Sequence, residues 1–134
     1  MYKIAIIAPP DCYRESVVIE FMLKVKGTFG NTATILSGGN LTGIEHLVKR
    51  RSLDYGMKYQ EFNPSFTGHN MYSFLPGSYY GKKEHFTQYI HRYEAMLRYT
   101  ERLVVVKQED SRQWHIYEKI LKKAEREGIK SVLI

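Results

Sequence analysis

Residues 2–8, Tyr-Lys-Ile-Ala-Ile-Ile-Ala, form a short and nearly continuous apolar run closed by Pro9-Pro10, and this run constrains the fold more than any other stretch. A strand with one face in water alternates apolar and polar residues, whereas one that is apolar on both sides must be covered on both. That is the condition of a central strand in a parallel sheet. Parallel neighbours need crossover connections, usually helical, and the rest of the chain supplies them. Residues 11–26 carry Val18, Phe21, Met22 and Val25 at helical spacing before Gly27. Residues 32–36 then read as a second strand, 42–55 as a helix closed by Gly56, and 57–62 as a shorter strand. A helix over 82–99 follows with the stripe Phe86, Ile90, Tyr93 and Leu97. After it come a buried strand at 103–106, a helix opened by Ser111 and ended by Gly128, and a last strand over 129–134. Alternating strands and helices predict an α/β fold, a Rossmann-like three-layer α/β/α sandwich on a mostly parallel five-stranded sheet ordered 3-2-1-4-5.

With 134 residues, 43% hydrophobic and 25% charged, the chain is expected to be one domain, residues 1–134, with a globular core that needs neither disulfide nor metal. No apolar run approaches the length of a membrane span, and Met1-Tyr2-Lys3-Ile4 enters a strand rather than a signal peptide. A cytoplasmic protein is expected, with no membrane partner. Cys12 is the only cysteine, which removes every Cys-x-x-Cys reading. The five histidines show no His-Glu-x-x-His pattern, so neither a metal nor a cofactor is expected. A formal charge of +6 favours anionic partners: a phosphorylated small molecule, a nucleic acid or an acidic surface.

In a sheet of this kind ligands sit beyond the carboxyl ends of the strands, which directs attention to the loops at 9–14, 37–43, 63–81 and 107–114. The second is Ser37-Gly38-Gly39-Asn40-Leu41-Thr42-Gly43, a glycine-rich turn between a strand and a helix. Backbone without Cβ atoms approaches a phosphate closely, and the helix start offers it free N–H groups and a positive dipole end. The spacing is neither the dinucleotide fingerprint nor a P-loop, and Thr42 with Glu45 also reads as a capping box that merely starts a helix. In the first loop Pro9-Pro10 makes a rigid turn and Asp11 is the expected cap of the first helix. Residues 63–81 break the periodicity with two prolines, several glycines and a set of aromatics, the pattern of a lid or binding loop, of a mobile connection or of a hydrophobic interface. There Phe66, Tyr72 and Tyr79 are candidates to stack on a base.

The chain resembles the SLOG superfamily, which includes YspA-type small proteins, the DNA-processing protein A Rossmann domain and the lonely guy phosphoribohydrolases. The resemblance runs through Lys3-Ile4-Ala5-Ile6-Ile7, an Asp-initiated helix, Ser37-Gly38-Gly39 with Gly43, Glu61-Phe62-Asn63-Pro64, Arg92-Tyr93-Glu94-Ala95-Met96 and Leu103-Val104-Val105-Val106. It implies a Rossmann-type fold, a nucleotide-like ligand, a homo-oligomer, and Arg92 near the glycine turn as a phosphate grip. The second glycine-rich motif of the phosphoribohydrolases is replaced by Lys107-Gln108-Glu109-Asp110-Ser111, so their catalytic glutamate has no counterpart.

The expected ligand contacts are therefore Pro10, Asp11, Ser37, Gly38, Gly39, Asn40, Thr42, Gly43, Arg92 and Ser111. His85, Tyr89, Arg92 and Met96 share a second face of their helix, suited to a pocket or an oligomer contact. Ser37 lacks the Gly-x-Ser-x-Gly elbow of a hydrolase nucleophile, leaving Glu94 and Glu109 as the carboxylates for acid–base work if a reaction is catalysed. The reading that follows is a sensor or sequestering protein for a nucleotide or nucleotide-derived ligand, of ADP-ribose-like or cyclic signalling type. The alternatives are a nucleotide-processing enzyme of N-glycosidase type and a single-stranded nucleic-acid binder.

Overall fold

The computed structural model describes residues 2–39, 43–62 and 86–134. Asn40 and Thr42, and the ring residues Phe66, Tyr72 and Tyr79, lie outside the described residues. Five strands, β1 (Tyr2–Ile7), β2 (Ala33–Gly38), β3 (Lys58–Phe62), β4 (Arg102–Val105) and β5 (Lys130–Leu133), make one sheet ordered β3-β2-β1-β4-β5. Every pairing is parallel, with Ile4 opposite Ile35 and Ile6 opposite Val104. The order expected from the sequence is the order found.

Among the described residues four α-helices cover the sheet: α1 (Glu15–Phe29), α2 (Gly43–Asp54), α3 (Phe86–Leu97) and α4 (Trp114–Arg126). The two-residue period of a strand divides β1 between two cores. Ile4 and Ile6, with Ala8 beyond the strand, pack with Val18, Met22 and Val25 of α1 and Ile44 and Val48 of α2. Ala5 and Ile7 face the other way, toward Tyr93, Met96 and Leu97 of α3 and Ile116, Tyr117 and Ile120 of α4. The two cores lie on opposite sides of the sheet, and the carboxyl ends of β1, β2 and β4 form the crest where they approach each other.

Several element ends differ from the expectation, each for a local reason. Helix α1 starts four residues later than expected, at Glu15. The amides of Cys12 and Glu15 are spent on turns, donating to Pro9 O at 3.0 Å and Tyr13 O at 2.9 Å. Asp11 does not cap it; the first helical residue follows Arg14, which provides no side-chain cap. The helix also runs through Gly27 and stops at Gly30, whose φ of 56° suits glycine. Stacking of Phe29 on Tyr2, 5.0 Å between ring centroids, holds that extra turn. Helix α4 begins at Trp114 rather than Ser111, because the Ser111 hydroxyl accepts the Gln113 amide at 3.2 Å and forms a turn. Among the described residues no helix is long and apolar enough to cross a membrane.

Candidate functional site

At Gly38 the glycine turn that the sequence singles out is occupied from within. Glu45, in the first turn of α2, lies beside Ile44 on the buried side of the helix, and only 1% of it is exposed. Thr42, the other half of the expected capping box, lies outside the described residues, and the described side-chain partners of the Glu45 carboxylate lie across the sheet. The carboxylate crosses the end of β2 toward α3 on the opposite face of the sheet, where Arg92, 2% exposed, places Nη2 at 3.8 Å from Oε1. Glu45 Oε2 accepts the Ala8 amide at 3.3 Å and the Tyr93 hydroxyl. Tyr93 has one proton to give and gives it to Glu45. It therefore accepts from Arg92 Nη2 at 2.7 Å, and the Tyr117 hydroxyl, 2.9 Å away, must be a donor to it.

These groups explain why residue 38 is glycine. A Cβ there would lie 2.1 Å from Glu45 Oε1 and 2.8 Å from Arg92 Cζ. The space that a bare backbone leaves is filled by the protein's own ion pair, not left open for a phosphate. Arg92 is thus neither a surface residue nor an open phosphate grip. The face that carries it turns inward, since Met96 is buried with it; His85 and the Tyr89 side chain lie outside the described residues.

Burial sets the proton affinities of this cluster. It pushes the Glu45 carboxyl above its ordinary value, against the opposing pull of Arg92, the Tyr93 hydroxyl and the Ala8 and Gly38 amides. Burial also raises Tyr93 and Tyr117 well above the usual phenol range. For Arg92 burial works downward, but the surrounding Tyr93 and Glu45 outweigh it and hold the guanidinium charged.

The other expected contacts divide into two groups. Ser37 is buried and donates its hydroxyl to Ile6 O at 2.7 Å, so its side chain joins β2 to β1 instead of facing a ligand. Asp11 and Ser111, one hundred residues apart, meet at 2.6 Å and bridge the loops after β1 and β4 at the point where strand order reverses. Pro10 and Gly39 are half-buried beside this crest. Glu94 pairs with Lys123 at 3.3 Å and Glu109 with Lys107 at 3.2 Å, both in water-accessible ion pairs away from the Glu45 cluster. Among the described residues no three histidine, cysteine or acidic side chains come together as metal ligands.

Among the described residues, the start of α2 borders a groove. Gly43 starts α2 with φ 82°, a conformation that favours glycine, and a Cβ there would meet Pro10 O at 2.9 Å. From Gly43 a groove of about 480 Å³ runs between α2 and the entry to α1. Its α2 wall is one helical stripe, Gly43, His46, Leu47, Arg50, Arg51 and Asp54, and Tyr13 and Glu15 form the facing side. Arg51 is tied to Asp54 at 3.6 Å, whereas Arg50 is exposed and makes no ion pair with a described residue. The sequence analysis gave Glu45 only a capping role and gave Tyr117 none, because their partners lie in distant segments. The available signal for Glu45 was its place beside Ile44 and Val48, on the apolar side of α2.

The chain matches no protein-family model and no curated protein sequence.

Proposed function

We propose that the protein binds a nucleotide or nucleotide-derived anion, of ADP-ribose or cyclic-nucleotide type, as a sensor or sequestering protein, in the groove that opens at the start of α2. The observation that carries this reading is the stripe Gly43, His46 and Arg50 along one wall of a groove of about 480 Å³. That volume is within the range of pockets that enclose small organic ligands. The first-turn amides and dipole of α2 favour a phosphate at Gly43. Arg50 stands seven residues on, about 10 Å along the helix axis, within reach of a second phosphate or the same extended ligand. Glu15 on the facing side is an acceptor for ribose hydroxyls. The resemblance of residues 37–43 to the SLOG glycine turn supports the same ligand class. It also motivates the homo-oligomer that belongs to this proposal, whereas the cytoplasmic setting rests on the sequence's lack of a membrane-length apolar run.

Binding without reaction fits the site better than catalysis. Glu45 is the carboxyl whose proton affinity is shifted, but it is sealed under the crest and cannot touch a ligand in the groove. Calorimetric titration with AMP, cyclic AMP and ADP-ribose tests the proposal, followed by chromatographic recovery of each compound. Saturable binding of at least one, with the ligand recovered intact and Arg50→Ala weakening it about tenfold or more, is expected. Cleaved ligand would replace the sensor by an enzyme. Affinity only for oligonucleotides, falling steeply with salt, would replace it by a nucleic-acid binder.

A further inference from the structure

Tyr13 is the most exposed large hydrophobic side chain among the described residues, with 78% of its surface in water. An exposed tyrosine is ordinary on a mobile loop, but this one stands on fixed backbone. Before it, Asp11 is held by the Ser111 hydroxyl and Cys12 is fully buried, its amide bonded to Pro9 O. Its own carbonyl accepts the Glu15 amide at 2.9 Å. After it, Arg14 reaches across the crest and donates Nη1 to Lys107 O at 3.0 Å. Bonds from both sides thus fix the mount of the ring, and Tyr13 lines the same groove as Arg50.

We infer that Tyr13 is the stacking platform of the groove, and that the ligand there carries an aromatic base as well as a phosphate. This rests on the anion-binding reading above and narrows it. A flat ring on a fixed backbone has only two side-chain torsions to order on binding, and it can turn a phosphate site into a nucleotide site because it rewards a π-face and ignores a bare sugar phosphate. The base would then lie on the α1 side of the groove and the phosphate on the α2 side.

The test compares AMP with ribose 5-phosphate, two ligands that share the phosphate and the sugar, on the whole chain and on Tyr13→Ala, Tyr13→Trp and Arg50→Ala. Tyr13 packs in no core, so folding should survive its replacement, and circular dichroism confirms that for each variant. Tyr13→Ala should weaken AMP about tenfold while leaving ribose 5-phosphate unchanged. Tyr13→Trp should keep AMP binding, with its fluorescence quenched by the stacked base. If Arg50→Ala weakens AMP but Tyr13→Ala does not, or if Tyr13→Ala weakens both ligands equally, the stacking role is overturned and the anion site stands. If the unaltered chain binds neither compound, the anion reading fails and the platform falls with it.

Discussion

At the scale of single residues, position 38 shows how a glycine can be misread. A strand-to-helix turn rich in glycine suggests a phosphate cradle, and the same lack of a Cβ here accommodates Glu45 and Arg92 instead. The two explanations differ in what a methyl group does. Gly38→Ala should cost about 1–3 kcal/mol by urea denaturation, because both clashing side chains are buried and moving them strains their bonds to each other and to Tyr93. Glu45→Ala leaves a guanidinium buried without its counter-ion and should cost about 3–5 kcal/mol. Glu45→Gln keeps the shape and an acceptor for Tyr93, and should lose less. The informative quantity is the coupling: with Glu45 already shortened, adding Gly38→Ala should cost markedly less than it does alone. Additive losses would mean that the glycine is kept for some other reason.

At the scale of elements, glycines in two helices make opposite predictions. Gly27 lies inside α1, and an added Cβ would meet nothing within 4 Å. Gly27→Ala should therefore stabilise the chain by about 0.5–1 kcal/mol, the helical advantage of alanine. Gly43 opens α2 at positive φ, with Pro10 O in the path of a Cβ, and Gly43→Ala should destabilise by about 1–3 kcal/mol. Thermal unfolding of the two variants should move in opposite directions. The same contrast marks what the sequence made legible. Strand and helix types and the order of the sheet follow from period and turn residues, because burial on both faces leaves a pattern along the chain. Gly27 resembled a helix stop because its φ is not written in its identity, and only Gly30, with Thr32 donating to Phe29 O at 2.6 Å, ends the helix. The site was less legible for a related reason. Asp11 with Ser111, and Glu45 with Tyr93 and Tyr117, are partners from distant segments, and no local spacing encodes them.

At the scale of the whole molecule, the Glu45 cluster ties α2 on one face of the sheet to α3 and α4 on the other, and its tyrosines make that tie sensitive to base. Tyr93 and Tyr117 of the cluster, and with them Tyr59 of β3, whose hydroxyl donates to Glu61 at 3.1 Å, are each raised above their ordinary value, 10.0, chiefly by burial. The native chain therefore keeps three phenolic protons at a pH where the unfolded chain releases them, and stability must fall as pH rises above the unfolded value. Each retained proton contributes a slope of about 1.4 kcal/mol per pH unit, so three give about 4. The chain should then unfold cooperatively in alkaline solution above pH 10, because a marginally stable fold is lost within a few kcal/mol. Far-UV circular dichroism and tyrosinate absorbance, followed on one alkaline titration, should show a common step in which helix is lost as the three phenolates appear. Tyr117→Phe keeps the ring against Trp114 but removes one of the protons, so above pH 10 its stability should fall less steeply. Should all tyrosinate absorbance develop while the helices remain intact, these hydroxyls are not locked in the native state and the cluster does not join the two faces.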